Sequence, residues 1–263
     1  MLATFWAAAA LATGGPTAPG EIDRAIAMGR LDQARLMIAA AVRSGVSGDV
    51  IERPLAALAF AAGRNDEALA RLEALLRATP DDPVLLEQAT IAALRSGRKD
   101  MAALHAERAT RQPAASWRVW NAKGVLADAA RNWAEADRAY ARAMALAPDQ
   151  AEIANNQGWS RLVRGDWRGA AELLAQAAAM KPEDARIANN LDLARIGLAS
   201  DLPGWRPGET STAFAARLND AGIAAFARGD TRRARAAFAQ AIEVSGRWYA
   251  RAEANLAMIE GRQ

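Results

Sequence analysis

Apolar stretches along the chain, most of them rich in alanine, are separated by short polar turns. The clearest turns are three-residue segments with glycine at the centre: Met28-Gly29-Arg30, Ala62-Gly63-Arg64, Ser96-Gly97-Arg98, Arg164-Gly165-Asp166 and Arg228-Gly229-Asp230. Alanine is the strongest helix former and contributes little to strands. The segments between the turns are therefore predicted to be helices, and the whole pattern predicts an all-α fold.

These turns recur at a fixed interval. Gly29, Gly63 and Gly97 are spaced 34 residues apart. The next step of 34 reaches Arg131, and one more reaches Gly165. Two facing helices approach closely only where the facing side chain is small. The sequence meets this requirement with an alanine five residues after each turn centre, and it therefore predicts antiparallel hairpins of a first and a second helix: Ala34, Ala68, Ala102, Ala136, Ala170 and Ala234.

A 34-residue period of this kind resembles the tetratricopeptide repeat. The resemblance covers roughly residues 21 to 260. It implies a right-handed superhelical solenoid of tetratricopeptide-type helical hairpins. Two segments carry most of the signature positions of that family: Trp120, Gly124, Ala136, Tyr140, Ala143 and Pro148 in the first, then Gly158, Gly165, Ala170, Leu174, Ala177 and Pro182 in the second.

The repeat is interrupted after residue 199. Two prolines and two glycines between residues 200 and 211 exclude a second helix there. The repeat resumes afterwards, and its last helix is predicted to cap the stack. We therefore predict four segments: a signal peptide and linker at 1–18, repeats at 19–199, a Pro/Gly-rich insertion at 200–211, and a C-terminal repeat with a capping helix at 212–263.

The first residues predict export. The apolar segment Leu2–Leu11 is too short to span a bilayer, and Ala10-Leu11-Ala12 has the form of a signal-peptide cleavage site. This pattern predicts a periplasmic protein. The basic region that usually precedes such a segment is missing, so a retained apolar helix in a cytoplasmic protein is the alternative.

Motifs in the C-terminal half resemble the TadD-like tetratricopeptide proteins of Flp (tight-adherence, Tad) pilus assembly. The resemblance implies an accessory protein of the cell envelope that helps to assemble a pilus or secretion machine, with pilus or secretin components as partners. The motifs that carry it are Ala154-Asn155-Asn156-Gln157-Gly158-Trp159, Ala188-Asn189-Asn190-Leu191, Asp201-Leu202-Pro203, Leu218-Asn219-Asp220-Ala221-Gly222 and Ala254-Asn255-Leu256-Ala257.

Charge and motif content argue against several other classes of function. The chain has 33 Lys and Arg against 30 Asp and Glu, so its net charge of +3 predicts no nucleic-acid partner. Cysteine is absent, His105 is the only histidine, and no nucleotide-binding or metal-ligand motif occurs. We therefore predict no catalytic residue, no metal site and no cofactor, and only indirect contact with a membrane.

A groove lined by the first helices is the predicted binding site. Asn121, Asn155 and Asn189 are 34 residues apart on these helices, and Asn219 has the same place in the last hairpin. Amide groups both donate and accept hydrogen bonds, so they could hold the backbone of an extended peptide, or instead satisfy neighbouring helices. The residues predicted to flank the same surface are Arg118, Trp159, Leu162 and Arg186.

The sequence thus predicts a non-enzymatic scaffold that binds other proteins or extended peptides, with pilus or secretion assembly as the specific role. A cytoplasmic adaptor or co-chaperone is one alternative, and it requires that residues 1–12 are retained. An accessory subunit of an envelope enzyme is the other, in which case the catalytic residues belong to the partner.

Overall fold

The computed structural model describes residues 19–199, 201–245 and 249–261, and this part of the chain contains fourteen α-helices and no strand. The predicted all-α fold is confirmed, whereas the predicted signal peptide lies outside the described residues. None of the described helices is long and apolar enough to cross a membrane. The helices are α1 (Pro19–Ala27), α2 (Leu31–Arg43), α3 (Asp49–Ala61), α4 (Asn65–Ala78), α5 (Pro83–Arg95), α6 (Lys99–Thr110), α7 (Trp117–Ala129), α8 (Trp133–Leu146), α9 (Ala151–Val163), α10 (Trp167–Met180), α11 (Ala185–Leu198), α12 (Ser211–Ala227), α13 (Thr231–Ser245) and α14 (Ala250–Glu260).

Short turns join the helices in pairs, at the places that the sequence predicts. In the α9–α10 turn, Gly165 has a φ of 80°, a left-handed conformation that glycine adopts without strain. The α7–α8 turn has the same conformation with Arg131 at its centre, and its φ of 56° is the only positive value at a non-glycine among the described residues. The turn geometry is therefore kept even where the sequence lacks glycine.

Small residues let the two helices of each hairpin approach. The six alanines predicted at these contacts are fully buried. Glycine on the first helix adds to this effect. A Cβ atom on Gly158 would lie 2.7 Å from Cγ of Leu174, and one on Gly222 would collide with the ring of Phe238. Such distances are too short for carbon atoms, so each glycine makes room for one large side chain of the second helix.

The described residues form two compact units, an N-terminal unit that ends at Ala122 and a C-terminal unit that begins at Lys123, so the boundary falls inside α7. In the N-terminal unit the first helices α1, α3 and α5 contact one another in that order. In the C-terminal unit the corresponding series is α9, α11, α12 and α14. Each unit therefore has a face that is built from first helices alone.

An extended segment replaces the missing second helix after α11. Leu202 packs against the cluster that contains Phe214 and Leu218, and also against Ile196. Thr210 then caps α12, because its hydroxyl accepts a hydrogen bond from the Ala213 N–H at 3.2 Å. One leucine thus fills part of the space that a helix fills elsewhere.

Arginine side chains fix the rest of this segment. Arg217 donates to both carboxylate oxygens of Glu209 at 3.0 and 2.8 Å, and Arg206 pairs with Asp192 of α11 at 2.9 Å. Arg233 donates to the carbonyl oxygens of residues 199 and 201, at 2.6 and 2.7 Å. The segment is therefore attached at both ends, although residues 201–210 form no regular backbone hydrogen-bond ladder of their own.

Candidate functional site

A row of apolar side chains runs across the first helices of the C-terminal unit. Trp159 and Ile223 each directly follow the glycine of their helix that makes room for a large side chain of the second helix, Gly158 and Gly222. The other members lie at equivalent positions of neighbouring first helices, 34 or 35 residues away. Trp159 is 44% exposed and Ile223 is 46% exposed. The apolar row consists of Val125, Trp159, Leu193, Ile223 and Met258.

Two of the predicted asparagines, Asn155 and Asn219, accept hydrogen bonds from a neighbouring first helix. Asn155 is buried, and its Oδ1 accepts a hydrogen bond from Asn190 Nδ2 at 2.9 Å. Asn155 also donates from Nδ2 to Asn156 Oδ1 at 3.2 Å. The bond from Asn190 joins α11 to α9, so this amide supports the stack. Burial and bonding of Asn155 thus favour the structural role that the sequence left open.

The same arrangement recurs further along the chain. Asn219 is buried, and its Oδ1 accepts a hydrogen bond from Asn255 Nδ2 at 2.9 Å, which joins α14 to α12. Asn219 also bonds to the adjacent Asp220 carboxylate. Asn121 is buried as well, whereas Asn189 is exposed. Of the four asparagines, Asn189 is therefore the one whose side chain is available at the surface.

Of the four residues predicted to flank the asparagines, three are exposed and one is buried. Trp159 and Arg186 are exposed on the C-terminal unit, and Arg118 is exposed on the N-terminal unit, where its guanidinium lies 4.6 Å from the Trp117 ring centroid. Leu162 is a correction to the sequence prediction. It is 7% exposed and belongs to the core cluster around Leu174. It lies three residues beyond Trp159, and this rotation turns it toward the second helix α10.

Partly buried hydrogen bonds position the first helices of the C-terminal unit. The Asp128 carboxylate on α7 accepts hydrogen bonds from the Tyr140 hydroxyl at 2.8 Å and from the Ser160 hydroxyl at 2.6 Å. Burial, together with the adjacent Asp128 carboxylate, raises the pKa of Tyr140 well above its ordinary value, so the phenol remains a donor. The network ties α7, α8 and α9 together and fixes the backbone beneath Trp159.

The N-terminal unit has a cleft on its own face of first helices. The cleft has a volume of about 380 Å³ and is lined by α1, α3 and α5. Its walls are mostly aliphatic, with an acid, a base and an amide among them. The lining residues are Asp23, Ile26, Ala27, Arg53, Ala57, Val84, Leu85 and Gln88.

Arg53 is held in place at the edge of this cleft. Its Nη1 donates to Asp82 Oδ2 at 2.8 Å, while Asp82 Oδ1 caps α5 by accepting the N–H groups of Val84 and Leu85 at 3.0 and 3.1 Å. Burial opposes the ionisation of Asp82, but the N–H groups and the Arg53 guanidinium outweigh it, so the pKa of Asp82 lies below its ordinary value. The cleft therefore presents an oriented guanidinium beside an apolar wall.

The sequence prediction missed this N-terminal cleft, although the signal was present. Arg53 and Asn121 differ by 68 residues, which is two repeat periods, so Arg53 occupies the place of the predicted asparagine in its own hairpin. Counting backwards from Asn121 would have found it. Neither face contains a cluster of three or more acidic or histidine side chains that could hold a metal ion, within the part of the chain that the structure describes. Both faces offer apolar contacts and oriented polar groups.

Residues 155–194 match the family model described as tetratricopeptide repeat. No curated protein sequence gives a significant match to this chain. The sequence match thus covers most of α9, all of α10 and most of α11.

Solved structures resemble the chain over a larger part of its length. A tetratricopeptide repeat protein from Parabacteroides merdae has a TM-score of 0.54 at 14% identity, covering 92% of this chain and 96% of that one. PilW, described as a widely conserved type IV pilus biogenesis factor, has a TM-score of 0.55 at 14% identity, covering 90% and 96%.

A third similar structure is the Cut9–Hcn1 hetero-tetramer of the APC/C, with a TM-score of 0.55 at 13% identity. The similarity covers 95% of this chain but only 43% of the length of that one. At such identities the likeness concerns the fold. The chain therefore has the fold of tetratricopeptide repeat proteins, which are typically non-enzymatic scaffolds that bind other proteins or peptides.

Proposed function

We propose that this protein is a periplasmic scaffold that holds extended segments of other proteins during the assembly of a Tad/Flp pilus or a related secretion system. The observation that carries the proposal is the apolar row of the C-terminal unit. Trp159, Ile223 and Met258 of this row are 44%, 46% and 40% exposed, whereas Val125 and Leu193 are half-buried. Exposed apolar residues in a contiguous line are typical of surfaces that bind partners.

The pilus part of the proposal rests on further observations. It comes from the TadD-like sequence motifs and from the fold similarity to PilW over nearly the full length of both chains. The periplasmic location is supported by the signal-peptide pattern of Leu2–Leu11 and Ala10-Leu11-Ala12. Sequencing the N-terminus of the mature protein tests it, because a chain that still begins at Met1 would favour the cytoplasmic adaptor.

Affinity capture from cell-envelope extracts tests both parts of the proposed function. We expect the wild-type protein to retain pilus or secretin components. The double variant Trp159→Ala/Ile223→Ala should retain at least about tenfold less, since two apolar anchors are lost. The matched control is Leu146→Ala/Met180→Ala, because these side chains are 44% and 40% exposed but lie at the ends of second helices.

The outcomes separate the scaffold from its specific role. Capture of envelope proteins that include no pilus or secretin component would remove the pilus assignment and leave the scaffold. Equal capture by the double variant and the wild type would remove the apolar row as the binding face.

A further inference from the structure

Two opposite charges lie on different walls of the N-terminal cleft. Asp23 on α1 and Arg53 on α3 both line it. The Asp23 side chain is exposed, and it forms no hydrogen bond or ion pair among the residues that the structure describes. Its carboxylate is therefore available to a ligand in the cleft.

The positive charge of Arg53 is only partly compensated by its own partner. Asp82 accepts from its Nη1 at 2.8 Å, but the other oxygen of this carboxylate accepts the N–H groups of Val84 and Leu85 at the start of α5. The start of a helix carries a partial positive charge, so α5 shares the negative charge of Asp82 with the guanidinium. Nη2 of Arg53 donates a long hydrogen bond to Thr79 Oγ1 at 3.4 Å, and the side chain is 41% exposed. The guanidinium therefore retains donors and positive charge for a second acceptor.

Small and aliphatic side chains accompany the two charges. Residues one turn apart share a face of a helix, and each of the three helices contributes such a pair to the cleft. The pairs are Asp23 and Ala27 on α1, Arg53 and Ala57 on α3, and Val84 and Gln88 on α5. The alanines leave room beside each charged group, and Val84 is 60% exposed and offers an apolar contact. A volume of about 380 Å³ is near the lower limit for ligand sites, so the cleft suits a short segment and not a folded domain.

We propose that the N-terminal cleft binds an extended segment of a partner polypeptide with a basic and an acidic residue about three positions apart, the basic one facing Asp23 and the acidic one facing Arg53. The spacing follows from the walls. The helices α1 and α3 are in contact, and packed helices lie about 10 Å apart. In an extended chain of the polyproline II type, side chains about three positions apart face the same side and are separated by about 9 Å. The proposal rests on the proposed scaffold function and adds a second binding surface, which has its own rule for the partner.

Selection from a phage-displayed library of random heptapeptides tests this charge rule. Three immobilised proteins are compared: the wild type, Asp23→Lys, and the control Glu21→Lys. The control makes the same charge change at an exposed position of the same helix, but Glu21 lines a different depression, between α1 and α2. We expect the wild type and Glu21→Lys to select a group of peptides with a base and an acid about three positions apart. Asp23→Lys should lose this group, because its ammonium repels the basic residue of the peptide.

One selected peptide then tests the two contacts separately. On the wild type, glutamine in place of the basic residue should raise the Kd by about threefold, because Asp23 is exposed. Glutamine in place of the acidic residue should raise it by about tenfold, because Arg53 is half-buried and oriented. Glutamate in place of the basic residue should restore binding to Asp23→Lys and weaken binding to the wild type. A mere change in the stability of the protein does not produce such a reversal.

The outcomes separate this charge rule from the scaffold function. Selection without paired charges, selection of the same group on Asp23→Lys, or equal Kd values for the peptide and its glutamine counterparts would overturn the rule. If every selected peptide is lost on Trp159→Ala/Ile223→Ala and retained on Asp23→Lys, the cleft proposal fails and the apolar row remains the binding face. A wild type that selects no peptide would overturn both proposals.

Discussion

The hairpin α9–α10 and the interrupted repeat that begins with α11 cover the back of their first helix with different elements. Behind α9 lies a helix of 14 residues that buries Trp167, Ala170, Leu174 and Ala177. Behind α11 lies an extended segment that inserts Leu202 and is otherwise attached through arginine side chains. The α9–α10 hairpin therefore depends on apolar burial, and the interrupted repeat depends on a few polar bonds. The difference suggests that the first helices define the binding face, whereas the elements behind them can vary.

The largest loss of stability should follow from a substitution in the core of the α9–α10 hairpin. Leu174→Ala removes a fully buried side chain that packs against Gly158, and we expect the free energy of unfolding to fall by about 3 kcal/mol, since a cavity remains. Chemical denaturation followed by circular dichroism measures this loss. The control Leu146→Ala, at a 44% exposed position, should change stability by less than about 0.5 kcal/mol.

A smaller loss of stability is expected for a substitution in the extended segment after α11. Leu202→Ala removes a half-buried side chain from a segment that can relax, so we expect a loss of about 1 kcal/mol. The same denaturation experiment applies. A loss equal to that of Leu174→Ala would mean that the segment is as tightly packed as a helix, and the contrast between the two repeats would then disappear.

Substitutions in the turns should change stability by about 1 kcal/mol or less, with opposite signs at two equivalent turns. Arg131→Gly relieves the left-handed conformation at a cost in chain entropy, and we expect a net gain of about 0.5 kcal/mol. Gly165→Ala imposes strain on the equivalent turn and should lower stability by about 1 kcal/mol. Thermal unfolding of both variants checks the pair. A loss in Arg131→Gly would indicate that this arginine stabilises its turn by contacts of its own.

The smallest expected effect concerns pH and the regular hairpin α5–α6. His105 is 4% exposed; burial lowers its pKa although Glu73 Oε1 lies 3.6 Å from Nε2 and acts in the opposite direction, and Arg108 adds to the lowering. The unfolded chain therefore takes up this proton more readily. The contribution of His105 to stability is complete above about pH 6.5 and decreases as the pH falls toward the lowered pKa.

Thermal unfolding at about pH 7.5 and about pH 5.5 measures this dependence. The decrease in Tm on acidification should be smaller in His105→Gln than in the wild type, because the titrating group is gone. Equal decreases in both proteins would show that other groups, such as carboxylates, account for the whole effect.

Local periodicity explains why the hairpins could be predicted from the sequence. A turn glycine and an alanine five residues later are local requirements, and both repeat at the period of the hairpin. Asn155 and Asn219 show the limit of such reasoning, because an amide at a given place can face a ligand or a neighbouring helix. Leu162 shows it too, since its direction depends on which side of α9 the second helix covers.

Features that depend on contacts between distant parts of the chain could not be predicted from the sequence. The path of residues 201–210 is determined by Arg217 and Arg233, which follow it in the sequence and have no recognisable spacing from their partners. The N-terminal cleft could have been predicted from the repeat period alone, because Arg53 occupies the position of the predicted asparagine in an earlier hairpin. The remaining site predictions, Asn189, Trp159, Arg186 and Arg118, are exposed and stay predictions until binding is measured.

The glycines that accommodate large side chains also constrain how this chain can change over time. Gly124 and Tyr140, Gly158 and Leu174, and Gly222 and Phe238 are each 16 residues apart and in direct opposition. Enlarging the first member is tolerable only after the second has become smaller, so the two positions should be substituted jointly. Exchange of segments between such proteins should then succeed when whole hairpins move together and fail when a crossover separates the two members of a pair.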